Sequence, residues 1–245
     1  MSFTNSSLVT YTNITNNKTK NRNHAIDTIT IHCIVGQWTA KQGCDYFATT
    51  GRKCSANYVV GKDGSIGLSV EEKDRSWCSS NAANDHRAIT IEVASDTKAP
   101  YAVTDKAYNA LIQLIADICK RNNIKELKWK ADPSLIGQVD KQNMTVHKWF
   151  AKKDCPGEYL YERHGDIASK VNAILKAKFE PTRALKVGST VRVKKGAKTF
   201  QGGNLASFVY DRNHMVKQIN VDRVVITYNG IVVAAVRKSD LTVID

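Results

Sequence analysis

Residues 28–35 read TITIHCIV, and their β-branched side chains predict a strand. Side chains alternate across a strand, so Ile31 is expected to face a core and His32 the opposite side. The same pattern recurs as Thr-Ile-Glu at residues 90–92 and Thr-Val-His at residues 145–147. If the three segments are neighbours in one sheet, His32, Glu92 and His147 line a common face.

Strand and helix signals alternate around these segments up to about residue 180. Helices are predicted from Thr39, over residues 104–122 and over residues 164–177; a hairpin is predicted at 57–70 and a second core strand at 88–94. This alternation predicts an α/β fold with a mixed central sheet flanked by helices.

Only strand signals follow residue 180. Short segments with a period of two lie at 190–194, 215–219, 223–228, 231–236 and 241–244, and Asn229-Gly230 predicts a type I′ hairpin turn. They predict a small all-β barrel. The expected domains are therefore 1–178 and 186–245, joined by a linker at 179–185.

The chain is basic: its 245 residues hold 36 Lys and Arg against 23 Asp and Glu, a formal net charge of +13. Residues 183–245 hold 11 of these cations and 4 of the acids, so the excess is concentrated in the β-rich part. Such a charge suggests a polyanionic partner, either nucleic acid or an anionic cell wall, or a solvated surface. We find no motif for reading bases and no apolar run that could cross a membrane, so neither nucleic acid nor membrane insertion is expected.

The cysteines are expected to be thiols or metal ligands. Residues 1–23 are rich in Ser, Thr and Asn and have no basic and apolar leader pattern, which favours a reducing cytoplasm over secretion. A disulfide between Cys44 and Cys54 is the alternative.

His32, His147 and Cys155 are candidate metal ligands. Cys155 follows His147 by eight residues and can return to the same face. Two neutral imidazoles and a thiolate suit Zn²⁺ and leave a fourth position for water, while Glu92 could act as general base. The alternatives are a hydrogen-bonded structural histidine and a small buried cysteine, or a thiol enzyme with Cys155 as nucleophile and His147 as base.

Residues 24–176 resemble the type 2 N-acetylmuramoyl-L-alanine amidase family, which shares its fold with peptidoglycan recognition proteins. The motifs that carry the resemblance are ITIH (29–32), SANYVVGKDG (55–64), AITIE (88–92), TVH (145–147) and KDCPG (153–157). The resemblance implies that His32, His147 and Cys155 bind zinc, that Glu92 is catalytic and that Lys153 stabilises an oxyanion. Many members carry histidine where this chain has Asn57.

The resemblance also implies an activity: hydrolysis of the amide between N-acetylmuramic acid and L-alanine in peptidoglycan. Asn57 and Trp77 are candidate substrate-binding residues, with a packing role as the alternative for both. The β-rich part resembles bacterial Src-homology-type barrels that bind cell walls, with anionic wall polymers as partners. The expected setting is a phage endolysin made in the host cytoplasm; a bacterial autolysin and a non-catalytic peptidoglycan-binding protein are the alternatives.

Overall fold

The computed structural model describes residues 3–49, 51–179 and 185–244. The chain divides into two compact units, Met1–Ala177 and Lys178–Asp245. The domain limits expected from the sequence stay a prediction, because residues 180–184 of the expected linker lie outside the described residues.

The first unit is built on a mixed sheet. Its strands are β1 (Tyr11–Thr12), β2 (Lys18–Thr19), β3 (Thr28–Val35), β4 (Tyr58–Val60), β5 (Ile66–Leu68), β6 (Arg75–Ser76), β7 (Ala88–Ser95) and β8 (Met144–Thr145). Six of them form one sheet in the order β1-β5-β4-β7-β3-β8, and β2 pairs with β6 separately. Only the β4–β5 hairpin is antiparallel within the six-stranded sheet, so the predicted mixed sheet is confirmed.

Helices cover both faces of this sheet. They are α1 (Ala40–Thr49), α2 (Ala82–Arg87), α3 (Asp105–Arg121) and α4 (Gly157–Phe179). Helices α3 and α4 pack on the face that carries Ile31 and Ile91, and together they form the main core. Helix α1 packs on the other face, against Ile34 and Val59. His32 lies on this second face, because side chains alternate along β3.

Helix α4 begins at residue 157, seven residues before the predicted start at His164. The buried stripe of the helix includes Leu160 and His164 as well as Ile167 and Val171, at helical spacing. The predicted helix rested on aliphatic residues at helical spacing from Ile167 onward, and Pro156-Gly157 was interpreted as a turn. The first two turns of α4 were therefore not predicted. His164, which is buried and neutral, occupies a position in this stripe where an apolar side chain would be expected.

The first 23 residues gave no structural signal in the sequence, yet most of them are ordered against the sheet. Strand β1 runs parallel to β5 and covers that edge. Arg22 is buried, and its guanidinium donates to the backbone carbonyls of Glu72, Asp74 and Ala88 at 2.6–3.0 Å. Arg22 therefore ties the N-terminal segment to the loop before β6 and to the start of β7.

The second unit is an antiparallel sheet. Its elements are β9 (Thr190–Val193), α5 (Phe208–Asp211), β10 (Asn213–Asn220), β11 (Arg223–Tyr228), β12 (Ile231–Arg237) and β13 (Leu241–Val243). The strand order is β12-β11-β10-β9-β13. Asn229 and Gly230 have φ angles of 49° and 80°, as a type I′ turn requires. The separate antiparallel β-sheet unit is confirmed, whereas its closure into a barrel stays a prediction, and the one-turn helix α5 was not predicted.

A membrane-crossing helix is absent from residues 3–49, 51–179 and 185–244, where every helix is too short or too polar to span a bilayer.

Candidate metal centre

The threonines of the three repeated motifs lie on adjacent parallel strands; the first two motifs stay on β3 and β7, whereas the third leaves β8 after Thr145. In the β3–β7 ladder Thr30 is opposite Thr90 and His32 is opposite Glu92. In the β3–β8 ladder Thr30 is opposite Thr145, and the two threonine hydroxyls lie 2.7 Å apart. Equal spacing from the threonines therefore places His32 and Glu92 side by side, and the turn after β8 brings His147 to the same edge, with its ring centroid 5.1 Å from that of His32.

Cys155 returns to this edge through a closed loop. Strand β8 ends at Thr145, and His147 begins a single 3-10 turn. The amide of Lys148 donates to the carbonyl of Cys155 at 3.1 Å, which closes the loop between them. Cys155 Sγ then lies 3.3 Å from His32 Nδ1, and the two histidine rings have centroids 5.1 Å apart.

These three side chains fit a zinc ion. One ligand atom from each of His32, His147 and Cys155 lies within 4.8 Å of the others. Tetrahedral zinc with ordinary bond lengths places its nitrogen and sulfur ligands about 3.5 Å apart, close to the separation of His32 Nδ1 and Cys155 Sγ. Imidazole and thiolate are also the donors that zinc prefers.

The protonation states of the histidines favour metal binding. Burial holds the pKa of His32 well below its ordinary value, and His147 lowers it further. Burial also lowers the pKa of His147. Both imidazoles are therefore neutral at neutral pH, which leaves nitrogen lone pairs for a cation.

The thiols at this centre are protonated in the absence of a cation. A hydrogen bond with Cys33 and burial hold the pKa of Cys155 well above its ordinary value. All six cysteines lie in the described ranges and are free thiols, so Cys44 and Cys54 are not joined. A cation would have to displace the Cys155 proton in order to bind the thiolate.

Glu92 is an unusual carboxyl group. Its Oε2 atom is buried without a hydrogen-bond partner in the described part of the chain, and Cys78 Sγ lies 3.8 Å from its Oε1. Burial raises the pKa of Glu92 to about 7. A carboxyl group with this pKa can both accept and donate a proton near neutral pH.

A cavity of about 320 Å³ opens onto this centre. Glu92, His147 and Trp77 line it, together with Cys33, Ile34, Val35, Trp38, Tyr46, Phe47, Arg52, Cys54, Ser55 and Cys78. A neighbouring cavity of about 510 Å³ shares His147 and Trp77 and is also lined by Lys153. Lys153 is exposed and lines the same cavity as the candidate ligand His147, and its oxyanion role stays a prediction.

The two predicted substrate-binding residues lie in different surroundings. Trp77 lines both cavities and donates its indole N–H to Thr19 Oγ1 at 2.9 Å. Asn57 is fully buried; its Nδ2 donates to the carbonyl of Val70 at 3.2 Å and its Oδ1 accepts from the amide of Thr90. These bonds favour the packing role for Asn57 and keep Trp77 as the candidate for substrate contact.

Ser80, which no sequence pattern predicted, also contacts the centre. Its hydroxyl lies 3.1 Å from His147 Nε2. Ser80 has φ 61°, in the left-handed region that residues other than glycine rarely occupy. The contact orients the imidazole, and it leaves Nδ1 of His147 as the nitrogen available to a cation. A serine within a loop carries no pattern from which such a contact could be predicted.

Comparisons with known proteins agree with this description. A family model described as N-acetylmuramoyl-L-alanine amidase matches residues 22–158. The solved structure of PlyL has the same fold, with a TM-score of 0.50 and 17% identity over 66% of this chain and 95% of that chain. The N-acetylmuramoyl-L-alanine amidase LysC from Clostridium intestinale URNW has a TM-score of 0.46 and 17% identity over 67% of this chain and 97% of its own. No curated protein matches the chain.

Proposed function

Since the chain belongs to the N-acetylmuramoyl-L-alanine amidase family, we propose that it uses a bound zinc ion to hydrolyse the amide between N-acetylmuramic acid and L-alanine in peptidoglycan. The observation that carries the proposal is the convergence of His32, His147 and Cys155 beside Glu92, next to a cavity that Glu92 and His147 line. A protein that only binds peptidoglycan needs neither a three-ligand cation site nor a buried carboxyl group next to it.

His32, His147 and Cys155 would hold the zinc ion. When bound, zinc supplies Lewis acidity and lowers the pKa of a coordinated water to about 7. Ser80 fixes the ring of His147 through the contact at Nε2. The buried walls around His32 keep bulk water from competing for the ligands.

We propose that Glu92 transfers a proton from the attacking water to the leaving amine. Its Oε2 atom has no protein partner in the described ranges and is therefore available to accept a proton from the attacking water. The pKa of about 7 allows the same carboxyl group to return that proton to the leaving amine. Its place opposite His32 in the ladder holds it against the ligand set.

Lys153 is proposed to stabilise the negative charge that develops on the carbonyl oxygen. It lines the cavity that also contains His147, and it is exposed, so its ammonium group can reach a substrate. A fixed cation beside a developing oxyanion lowers the barrier. Trp77 offers an apolar ring surface to the glycopeptide in the same cavity.

A thiol enzyme with Cys155 as nucleophile is less well supported. Cys155 contacts His32 rather than the expected base His147, and its raised pKa disfavours the reactive thiolate. The metal site uses both histidines and the thiol together.

The second unit is proposed to bind anionic polymers of the bacterial wall. Of its described acidic and basic side chains, only Arg237 and Asp222 form an ion pair, at 3.1 Å. Three cations, Arg192, Lys194 and Lys195, and one acidic residue, Asp211, line a cavity of about 690 Å³ in this unit, so the charge there is net positive. Such attraction weakens as salt screens it, so wall binding should be salt-sensitive. Together the two activities suit a lytic enzyme such as a phage endolysin.

The direct test of the bond specificity is mass spectrometry of digested peptidoglycan. The proposal expects intact glycan strands and released peptides that begin with L-alanine. Products with shortened glycans, or peptides cut at another bond, would overturn it. The Glu92→Gln variant, prepared in parallel, controls for contaminating hydrolases because it should release almost no peptide.

A further inference from the structure

Cys78 brings an additional metal-binding side chain to the centre. One ligand atom from each of His32, Cys78 and Glu92 lies within 4.8 Å of the others. This second set shares only His32 with the zinc ligands. It lies on the cavity side, since Cys78 and Glu92 both line the 320 Å³ cavity.

Two polar atoms of these residues are buried without partners. His32 Nε2 and Glu92 Oε2 have no hydrogen bond to any described residue. Buried polar atoms are nearly always paired, so each orphan calls for an explanation. His32 Nδ1 faces Cys155, so a second cation bound to His32 would have to use Nε2.

The distances suit a soft cation. Cys78 Sγ and Glu92 Oε1 are 3.8 Å apart. Sulfur and oxygen ligands of one tetrahedral zinc ion are about 3.6 Å apart, so a small rotation of either side chain would close the site. A thiol among the donors selects zinc or cadmium over magnesium or calcium.

We propose that His32 Nε2, Cys78 Sγ and the Glu92 carboxylate form a second site for a thiophilic divalent cation, and that its occupation inhibits the enzyme. His32, as an imidazolate, would then bridge two cations, one at each nitrogen. Binding displaces the thiol proton of Cys78, the Nε2 proton of His32 and any proton on Glu92, and these leave to solvent. The inhibition rests on the proposed function, because a metal-bound Glu92 carboxylate cannot take the proton of the attacking water.

Cadmium titration of the metal-free full-length chain tests the site without reference to activity. Equilibrium dialysis counts bound Cd²⁺, and the thiolate-to-cadmium absorption reports the sulfur ligands. We expect the wild-type chain to bind a second equivalent that Cys78→Ser and Cys78→Ala both lose. Cys54→Ser is the matched control, because Cys54 lines the same cavity outside the ligand set and should leave both equivalents intact.

Retention of the first equivalent by the Cys78 variants shows that they are folded. A wild-type chain that stops at one equivalent in excess Cd²⁺ overturns the proposal. So does a Cys78→Ala chain that keeps the second equivalent. These results hold even if no peptidoglycan amide is cleaved, in which case the proposed function fails separately.

Inhibition is measured with Zn²⁺ added beyond the first equivalent, each variant being compared with its own activity at one equivalent. The Zn²⁺ concentration that gives half-inhibition should rise about 10-fold or more in Cys78→Ser. Replacing even a residue that only hydrogen-bonds to a metal ligand weakens metal binding by about this factor. Equal inhibition of Cys78→Ser and wild type would contradict the inhibitory role.

Discussion

His32 stands directly opposite Glu92 on the parallel strands β3 and β7. The register therefore joins a candidate metal ligand and a buried carboxyl group, although sixty residues separate them in the sequence. Both side chains point to the face covered by α1, away from the core beneath α3 and α4. The ladder thus fixes the distance between the cation site and the group proposed to move the proton.

Replacement of Glu92 by glutamine should separate metal binding from turnover. The amide keeps the size of the side chain but cannot accept the water's proton, so kcat should fall about 10²- to 10⁴-fold. Zinc bound by His32, His147 and Cys155 should remain, as measured by competition with a chelator. Glu126→Gln, an exposed change away from the centre, is the control. Near-normal turnover in Glu92→Gln would remove Glu92 from its role.

Replacement of Cys155 by serine should weaken zinc binding. A hydroxyl is a far poorer zinc ligand than a thiolate, so the affinity should fall by about 100-fold or more. Cys119→Ser is the matched control, because Cys119 is buried on α3 and is not part of either ligand set. Equal zinc affinity in the two variants would exclude Cys155 as a ligand.

Replacement of Arg22 by methionine should destabilise the first unit. The variant leaves the carbonyls of Glu72, Asp74 and Ala88 without their buried donor. The expected loss is about 3 kcal/mol in the free energy of unfolding, measured by urea denaturation. Arg87→Met removes a partly exposed ion pair with Asp27 and should cost only about 1 kcal/mol. Similar losses in the two variants would mean that Arg22 does not anchor the N-terminal segment.

His164 should make the first unit sensitive to acid. Burial lowers the pKa of His164 to about 4, whereas the unfolded chain takes up this proton near pH 6.5. The contribution of neutral His164 to the free energy of unfolding is therefore fully present above pH 6.5. It is lost as the pH falls toward 4, by up to about 3 kcal/mol. His164→Gln has no proton to gain, so its unfolding free energy should fall less over this range. Parallel pH profiles for the two chains would contradict the assignment.

The sheet and the ligand edge could be predicted because they depend on local patterns. The β-branched runs at 28–35 and 88–94 predicted β3 and β7 closely. Alternation from Thr30 and Thr90 then predicted the faces of His32 and Glu92, whereas His147 reaches the centre from a 3-10 turn after β8. The type I′ turn at Asn229-Gly230 could likewise be predicted, since it depends on two adjacent residues.

Other features could not be predicted, because they depend on distant partners. Arg22 can be buried because its guanidinium donates hydrogen bonds to backbone carbonyls more than 45 residues away in the sequence. Ser80 and Cys78 reach the centre through a loop that contacts remote parts of the chain, as Ser80 does at His147, 67 residues away. Asn57 was a candidate for substrate binding because of its position in a family motif. Its burial and its hydrogen bonds to the backbone are visible only in the folded chain.

Metal dependence of wall lysis tests the central claim most directly. The chain is stripped with a chelator, its residual metal is measured by elemental analysis, and lysis of purified cell walls is followed by turbidity. We predict that lysis disappears with the metal and returns when one equivalent of Zn²⁺ is restored, with L-alanine as the new amino terminus of the released peptides. Undiminished lysis by a chain shown to hold no metal would contradict the zinc amidase account.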